Sequence, residues 1–476
     1  MASRARSSMA TRLSRAGVRQ PVQHALSSAS RASLTTLGAR QPAPPPLVAR
    51  LSLGSGRHLL STTAGAAAGV AANVLTAEGK SLRVGVWIMG CGATVFGMVV
   101  LGGVTRLTHS GLSMTEWRLQ GTKYPTSPEE WEVEFAKYRR SPEFYMLRPD
   151  MTLEEFKPIF WYEWAHRMLG RSLGLIFAVP AAYFGVRGYI RRPLVPRLVA
   201  LFALGGMQGL VGWWMVRSGL EIPTAEQGGG YGGYDIPRVS PYRLASHLST
   251  AFVIYAGIVW TGLTVLRESP LLAASSVSSE QLRAAMRIRL LAMPLGALVA
   301  VTAVSGAFVA GMQAGHHFNT FPLMDGRLVP EGYGSEMKPY WRNFFEHIPT
   351  VQFDHRLLAT STALSTAALW AVGMRQGRAL PPFVRIRLHA MLAMTGVQFS
   401  LGIVTLLSAV PVHLGSAHQT GALTLFTIVL WTLHVRNGTS AVHQLSLSSD
   451  MYTCTDLAVL HRVCGGHALC WEKLRH

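Results

Sequence analysis

The chain has 476 residues, of which 49% are hydrophobic and only 14% are charged. Soluble globular proteins carry more charge, and the apolar residues here come in long runs, so an ordinary soluble protein is excluded and a polytopic membrane protein is predicted. The formal net charge of +20 would suit nucleic acid, but no aromatic and basic residues interleave to form such a surface. We therefore expect membrane lipid, and no nucleic acid, around the chain.

The first segment, residues 1–60, is rich in arginine and serine and contains no acidic residue. It lacks a continuous apolar core, so it predicts a mitochondrial transit peptide rather than a secretory signal. The alternative is a disordered basic tail. Residues 61–81 are interpreted as a linker. Residues 436–476 are interpreted as a disordered tail or an error in the gene model.

Eight apolar segments are each long enough to cross a bilayer, which takes about 20 residues. We place them near residues 82–104, 159–186, 198–216, 243–266, 290–311, 351–373, 388–407 and 416–434. Three of the loops between them, 187–197, 267–289 and 374–387, are rich in arginine. Such loops face the matrix side of an inner membrane. The pattern therefore predicts a multi-pass protein of the mitochondrial inner membrane, with its N-terminus in the matrix.

The eight segments form an internal repeat. His166-Arg-Met-Leu in the second segment matches His355-Arg-Leu-Leu in the sixth, an offset of 355 − 166 = 189. Gln208-x-x-x-Gly212 matches Gln398-x-x-x-Gly402, an offset of 398 − 208 = 190. His247 matches His418 at a smaller offset of 418 − 247 = 171, which a shorter loop explains. The nearly equal first two offsets indicate duplication. We predict an all-α fold of eight transmembrane helices in two tandem, pseudo-symmetric four-helix bundles.

The predicted bundles comprise residues 82–266 and 290–435, joined by a matrix linker over 267–289. Each contains two histidines near the starts of its even-numbered segments, at one face of the membrane. The pairs are His166 with His247 and His355 with His418.

A histidine inside a membrane helix is costly unless it has a partner. A hydrogen bond between helices is the plain explanation for a single one. Two neutral imidazoles on parallel helices of one bundle instead suit the axial ligation of haem iron. Zinc would need a third or fourth ligand close by, and the sequence shows no such cluster. Two histidine pairs in matched positions therefore predict two haem sites.

Glu163 lies three residues before His166, on the same face of the helix. One interpretation is a salt bridge to Arg167. The other is a proton acceptor beside a haem edge. Its counterpart in the repeat is Gln352, which cannot take up a proton. The asymmetry suggests that the first bundle carries out chemistry and the second holds a cofactor.

These motifs resemble the haem A synthase family of the mitochondrial and alphaproteobacterial type, over about residues 82–434. The most specific stretches are Leu-Gly-Gly-Val-Thr-Arg-Leu-Thr-His-Ser-Gly-Leu-Ser-Met at 101–114, Glu163-x-x-His166-Arg167, Asp-Ile-Pro-Arg-Val-Ser at 235–240, Asn-Thr-Phe-Pro at 319–322 and Val-Gln-Phe-Asp-His-Arg at 351–356.

The resemblance implies that His355 and His418 hold haem b in the C-terminal half. It implies that His166 and His247 are the ligands of the substrate haem, with Glu163 as the acidic residue beside them. The implied reaction oxidises the C8 methyl group of haem O to a formyl group, which yields haem A for cytochrome c oxidase. The implied partners are haem O, a ferredoxin-type or other electron-transfer partner, haem O synthase, oxidase assembly factors and a second copy of the chain.

Two other classes of protein would use similar sequences. A non-catalytic bis-histidine dihaem b-type membrane electron carrier would need the same four ligands, and the difference between Glu163 and Gln352 favours an enzyme over it. A transporter would show broken helices and a polar site at the midplane, whereas the four histidines are predicted near one face.

Overall fold

The computed structural model describes three stretches of the chain, residues 56–221, 237–267 and 278–434. Most of the predicted transit peptide, the centre of the predicted matrix linker and the C-terminal tail lie outside the described residues. The chain divides into two units, residues 1–65 and 66–476. The helix contacts set out below all belong to the second unit.

Regular structure in the described residues consists of eleven α-helices and a few short 3₁₀ turns, without a β-strand. The helices are α1 (Gly56–Leu107), α2 (Pro128–Tyr138), α3 (Pro142–Leu147), α4 (Leu153–Val186), α5 (Val195–Arg217), α6 (Pro241–Arg267), α7 (Ser279–Gly311), α8 (Asn343–Glu346), α9 (Ile348–Arg375), α10 (Pro382–Leu407) and α11 (Val412–Leu433). The predicted all-α fold is confirmed. Seven of the eight predicted segments each fall within one long helix, and the eighth, 416–434, extends one residue beyond α11. Helix α1 already begins at Gly56.

Among the described residues, seven helices are long and apolar enough to cross a membrane: α1, α4, α5, α6, α7, α9 and α10. A multi-pass membrane protein is therefore confirmed, whereas the predicted count of eight is not. Helix α11 is the one that falls short. Its first turns carry His418, Gln419 and Thr420, and these polar side chains lower the apolar content of a helix of 22 residues.

Helix α4 begins at Leu153, earlier than the predicted start at residue 159, because a capping box extends it. The side chain of Thr152 accepts a hydrogen bond from the backbone of Glu155, and the Glu155 carboxylate accepts one from the backbone of Thr152. Two N–H groups that a helix start leaves unpaired are thereby satisfied. The extra turns belong to an apolar cap with α2 and α3. The buried members of this cap are Met114, Trp131, Phe135, Tyr138, Phe156, Ile159 and Phe160.

Helix contacts close each half of the chain into a four-helix arrangement. In the C-terminal half, α7 packs on α9, α9 on α10, α10 on α11, and α11 back on α7. In the N-terminal half, α4 packs on α5 and α5 on α6. Helix α1 completes this half, since the indole of Trp87 donates to the carbonyl of Ile176 in α4 (3.0 Å) and Gly92 lies against Ile258 and Val259 of α6.

The two halves meet through α1, α6, α7 and α11. Tyr255 and Thr427 share a hydrogen bond of 2.7 Å between α6 and α11, and Gln419 of α11 donates to the carbonyl of Val99 in α1 (2.7 Å). The guanidinium of Arg106 at the end of α1 donates to the carbonyls of Ala310 (2.9 Å) and Gly311 at the end of α7. A cation at the C-terminus of a helix stabilises its unpaired carbonyls and its dipole.

Candidate functional site

All four histidines are positioned against glycines. In each case the glycine lies on the transmembrane helix that precedes the histidine helix, and a Cβ atom built on it would lie 2.8–3.2 Å from Cε1 of the imidazole. The pairs are Gly102 with His166 (2.9 Å), Gly212 with His247 (2.9 Å), Gly306 with His355 (3.2 Å) and Gly402 with His418 (2.8 Å). Any larger residue would displace the ring, so the four contacts fix where each imidazole lies.

Three of the histidines lie at the same depth in their helices, and one lies deeper. His247, His355 and His418 come six or seven residues after the first residue of α6, α9 and α11 (247 − 241, 355 − 348 and 418 − 412). His166 comes 166 − 153 = 13 residues into α4. The difference reflects the additional turns of α4 that join the apolar cap.

The C-terminal pair has a separation that suits one metal ion. The ring centroids of His355 and His418 are 6.5 Å apart. A metal-bound imidazole nitrogen lies about 2.0–2.1 Å from the metal and the ring centre about 1 Å beyond it, so two axial imidazoles on one iron have centroids roughly 6 Å apart. The residues present therefore fit a bis-histidine haem.

Polar groups support the Nδ1 atom of both imidazoles in this pair. Nδ1 of His355 is 2.7 Å from the Ser305 hydroxyl, which itself donates to the carbonyl of Thr302 (2.8 Å). The hydroxyl can therefore accept a hydrogen bond from Nδ1–H of His355. Nδ1 of His418 is 3.1 Å from the side-chain amide of Gln398. Such outer partners orient a metal-bound histidine. The Ser305 hydroxyl, as an acceptor, also favours the tautomer of His355 that leaves its Nε2 free, whereas the amide nitrogen of Gln398 is a donor and orients His418 without favouring that tautomer.

The N-terminal pair lacks this support. Nδ1 of His166 and Nδ1 of His247 are both buried and have no hydrogen-bond partner among the described residues. Gln208, the repeat counterpart of Gln398, donates to the backbone carbonyl of His247 (2.8 Å) but does not reach its ring. The helix backbone is held in both halves, whereas the imidazoles are held through Nδ1 only in the C-terminal half.

The Nε2 atoms of all four histidines make no hydrogen bond within the described part of the chain. They remain available as ligand atoms. A closed zinc-type site has no support there, because no group of three or more histidine, cysteine, aspartate and glutamate side chains gathers among the described residues.

Glu163 is buried and fully engaged. One carboxylate oxygen accepts hydrogen bonds from the Ser113 hydroxyl (2.7 Å) and the backbone N–H of Met114 (2.7 Å), and the other accepts from Arg167 (2.6 Å). Arg167 also donates to the carbonyl of Met114 (2.9 Å). The predicted salt bridge to Arg167 is present, and it fastens the loop after α1 to α4.

Gln352 fastens the equivalent loop of the C-terminal half with the opposite polarity. Its amide nitrogen donates to the carbonyls of Ala314 (2.8 Å) and His317 (2.5 Å), and its oxygen accepts from Arg356 (3.0 Å). Arg356 donates to the carbonyl of Phe318 (2.7 Å). The first loop offers donors and requires an acceptor, whereas the second offers carbonyls and requires a donor.

Sequence reasoning missed the function of several residues that surround the histidines. The repeated Gln-x-x-x-Gly motif is visible in the sequence. Its spacing was the signal that the glutamine and the glycine both position the histidine of the next helix. Gly306 and Ser305 carried no signal, since glycine and serine are ordinary in membrane helices. Gly102 lies in the stretch 101–114 that resembles the family, but nothing in the sequence connected it with His166.

The sequence profile described as COX15-CtaA, cytochrome oxidase assembly protein, matches residues 85–430. The chain is 51% identical over 351 residues to the Arabidopsis thaliana protein "Heme A synthase COX15", covering 74% of each chain. It is 44% identical to "Heme A synthase" of Nitrosospira multiformis, covering 74% of this chain and 92% of that one. It is 42% identical to "Heme A synthase COX15" of Homo sapiens, covering 74% and 82%. No solved structure matches. The chain therefore belongs to the COX15-CtaA family of cytochrome oxidase assembly proteins.

Proposed function

We propose that this chain is a haem A synthase, an oxidoreductase that converts the C8 methyl group of haem O into the formyl group of haem A for cytochrome c oxidase. The observation that carries the proposal is the duplicated site, in which each histidine of two matched pairs lies against its own glycine. The names of its relatives agree with this activity.

The C-terminal pair is assigned to a resident haem b. His355 and His418 would hold its iron through Nε2, and Ser305 and Gln398 would fix the two imidazoles from behind. Such a haem supplies one-electron transfer when bound. A site that keeps its cofactor benefits from ligands oriented in advance by a second layer of hydrogen bonds.

The N-terminal pair is assigned to haem O. His166 and His247 would bind the substrate, which must enter and leave in each catalytic cycle. Their Nδ1 atoms lack partners, so ligation there is not reinforced in the way it is at the other pair. Glu163 lies one helical turn before His166 and is the proposed acceptor of a proton close to the substrate.

The remaining assignments follow from the sequence. The N-terminal bundle, residues 82–266, would process haem O, and the C-terminal bundle, residues 290–435, would hold haem b. The protein would lie in the mitochondrial inner membrane with its N-terminus in the matrix, after removal of a transit peptide over residues 1–60. An electron-transfer partner of the ferredoxin type, haem O synthase and oxidase assembly factors would act with it.

A dihaem electron carrier is the second candidate, and one observation favours it. Glu163 and Gln352 fasten equivalent loops, so a buried acid at position 163 has a structural use without catalysis. The carrier would hold the same type of haem b in both halves.

The deciding experiment is pigment extraction from the purified protein, combined with complementation of a strain that lacks haem A. We expect haem b together with haem O, a hydroxylated intermediate or haem A, and restored haem A in the cells. Two equivalents of haem b with no restored haem A would overturn the synthase and establish the carrier.

A further inference from the structure

A carboxyl group outside the histidine site is buried without a hydrogen-bond partner for one of its oxygens. Glu143 lies in the first turn of α3 and is only 4% exposed. One of its oxygens is 3.9 Å from Nε of Arg148, which is too long for a hydrogen bond. The other oxygen, Oε2, has no hydrogen-bond partner among the described residues. Glutamate is almost never fully buried unless it is paired, so this group calls for an explanation.

The apolar cap accounts for the burial of Glu143. The neighbouring Phe144 packs edge-on against Phe135 and Tyr138, with ring centroids 6.0 and 5.8 Å apart. This contact holds the first turn of α3 against the cap. Burial raises the pKa of Glu143 to about 7, although Arg148 and Arg106 oppose the shift. The group therefore exchanges its proton in the range where the protein operates.

Charged and polar groups from four places interact electrostatically with this carboxyl. They are Arg106 at the end of α1, Tyr138 at the end of α2, Arg148 after α3 and Glu163 in α4. Two of them are themselves incompletely satisfied, since the Tyr138 hydroxyl and Nε of Arg106 are buried without a hydrogen-bond partner in the described residues. Unsatisfied polar atoms therefore occur on three elements whose charged and polar groups influence one another electrostatically, and such atoms are unusual in a protein interior.

The two buried acids of this region differ in what they can still bind. The oxygens of Glu163 are taken up by Ser113, Met114 and Arg167. Glu143 keeps one oxygen open and lies next to Arg148, whose side chain is 23% exposed and so reaches the solvent. Glu163 lies one turn from His166 and acts on Glu143 electrostatically. Glu143 is therefore coupled electrostatically to the acid near His166 and lies 3.9 Å from a side chain that reaches water.

We propose that Glu143 relays protons between Glu163, at the substrate-haem site, and the water at Arg148. The proposal rests on the proposed function. A methyl group that becomes a formyl group is oxidised by four electrons, and protons must cross between the site and water whether the oxygen derives from water or from dioxygen. The relay step itself moves one proton. The proton passes from the substrate side to the carboxylate of Glu143, which becomes the acid, and Glu143 then releases it to the water at Arg148.

The test uses the full-length protein in detergent or lipid, with its haems. Infrared difference spectra recorded across a pH titration should show the carbonyl band of a carboxylic acid that appears as the pH falls through about 7. Glu143→Gln should remove this band. Glu143→Asp should keep a titrating carboxyl group with a shifted band. Glu154→Gln, at a glutamate whose side chain is 78% exposed, should leave the band unchanged.

The second readout is the pH profile of haem A formation. Glu143→Gln should retain its haems but lose rate, by less than the roughly 10²–10⁴-fold expected for a direct general base, and the inflection near pH 7 should disappear. A band and a pH profile like those of the wild type in Glu143→Gln would overturn the relay. If every variant and the wild type made no haem A, the proposed function would fail, while the infrared titration would still decide whether Glu143 exchanges a proton.

Discussion

The two halves of the molecule share one framework and differ in how that framework supports the four histidines. Both place each imidazole against a glycine and hold a histidine backbone with a glutamine. Only the C-terminal half adds hydrogen-bonding groups at Nδ1, from Ser305 and Gln398. A duplicated fold can thus separate two tasks by a few polar atoms, because second-layer hydrogen bonds decide how firmly a ligand is held.

The loops show the same principle at the acid position. Glu163 meets a hydroxyl and an N–H group, whereas Gln352 meets two carbonyls. Each side chain suits the polarity of its own loop. The exchange of Glu163 for Gln352, which in the sequence suggests a catalytic difference between the halves, is therefore also explained by hydrogen bonding to the two loops. Measuring haem A formation in a Glu163 variant separates the catalytic from the structural contribution.

The largest expected effect is the complete loss of the haem b proposed for the C-terminal half. His355→Ala should abolish the low-spin b-type spectrum of the purified protein and with it haem A formation, and bound cofactor should no longer stabilise the fold. His166→Ala is the matched variant in the other half, and it should keep that spectrum while losing the substrate haem. Optical spectra and extracted haems provide the measurement. An unchanged b-type spectrum in His355→Ala would refute the assignment.

Glu163→Gln should cost haem A formation roughly 10²–10⁴-fold, because the amide cannot accept a proton. Both haems should still bind, and haem O or a partly oxidised haem should accumulate in the complemented strain, as chromatography of its haems would show. Glu154→Gln, on the exposed face of the same helix, serves as the control. Wild-type levels of haem A in Glu163→Gln would leave the residue with only its loop-fastening task.

Gly402→Ala should displace His418, because the new Cβ would lie 2.8 Å from Cε1 of the ring. Overpacking of this kind typically costs about 1–3 kcal/mol of stability, and haem b occupancy should fall. Gly396→Ala lies on the same helix and has nothing within 4 Å of its Cβ. Thermal unfolding and haem content should separate these two variants, and equal values for both would contradict a steric task for Gly402.

The smallest effect should come from Ser305→Ala, which removes the acceptor behind Nδ1 of His355. Loss of such an outer partner typically weakens metal binding about 10- to 100-fold. The low-spin spectrum should persist at high haem concentration, with a weaker affinity in haem titrations. Ser246→Ala, whose hydroxyl only bonds the carbonyl of Tyr242 in its own helix, should titrate like the wild type. Equal affinities would remove the proposed distinction between the halves.

The sequence by itself determined the class of the molecule. Apolar runs, separated at three places by arginine-rich loops, specify long membrane helices, because the backbone must satisfy its own hydrogen bonds in lipid. The duplicated His-Arg and Gln-x-x-x-Gly motifs identified the repeat, and Glu163 was linked to Arg167 by helical spacing alone, as the contact of 2.6 Å bears out.

Only the tertiary structure decided what surrounds the four histidines. Gly102 meets His166 although the two are 166 − 102 = 64 positions apart in the sequence. Glu143 is held against an apolar cap built from three separate helices by its neighbour Phe144, which packs on that cap. Such relations join residues that are distant in sequence, and local periodicity carries no information about which helices become neighbours. The partners of Nδ1, the polarity of each loop and the open oxygen of Glu143 all depend on that choice of neighbours.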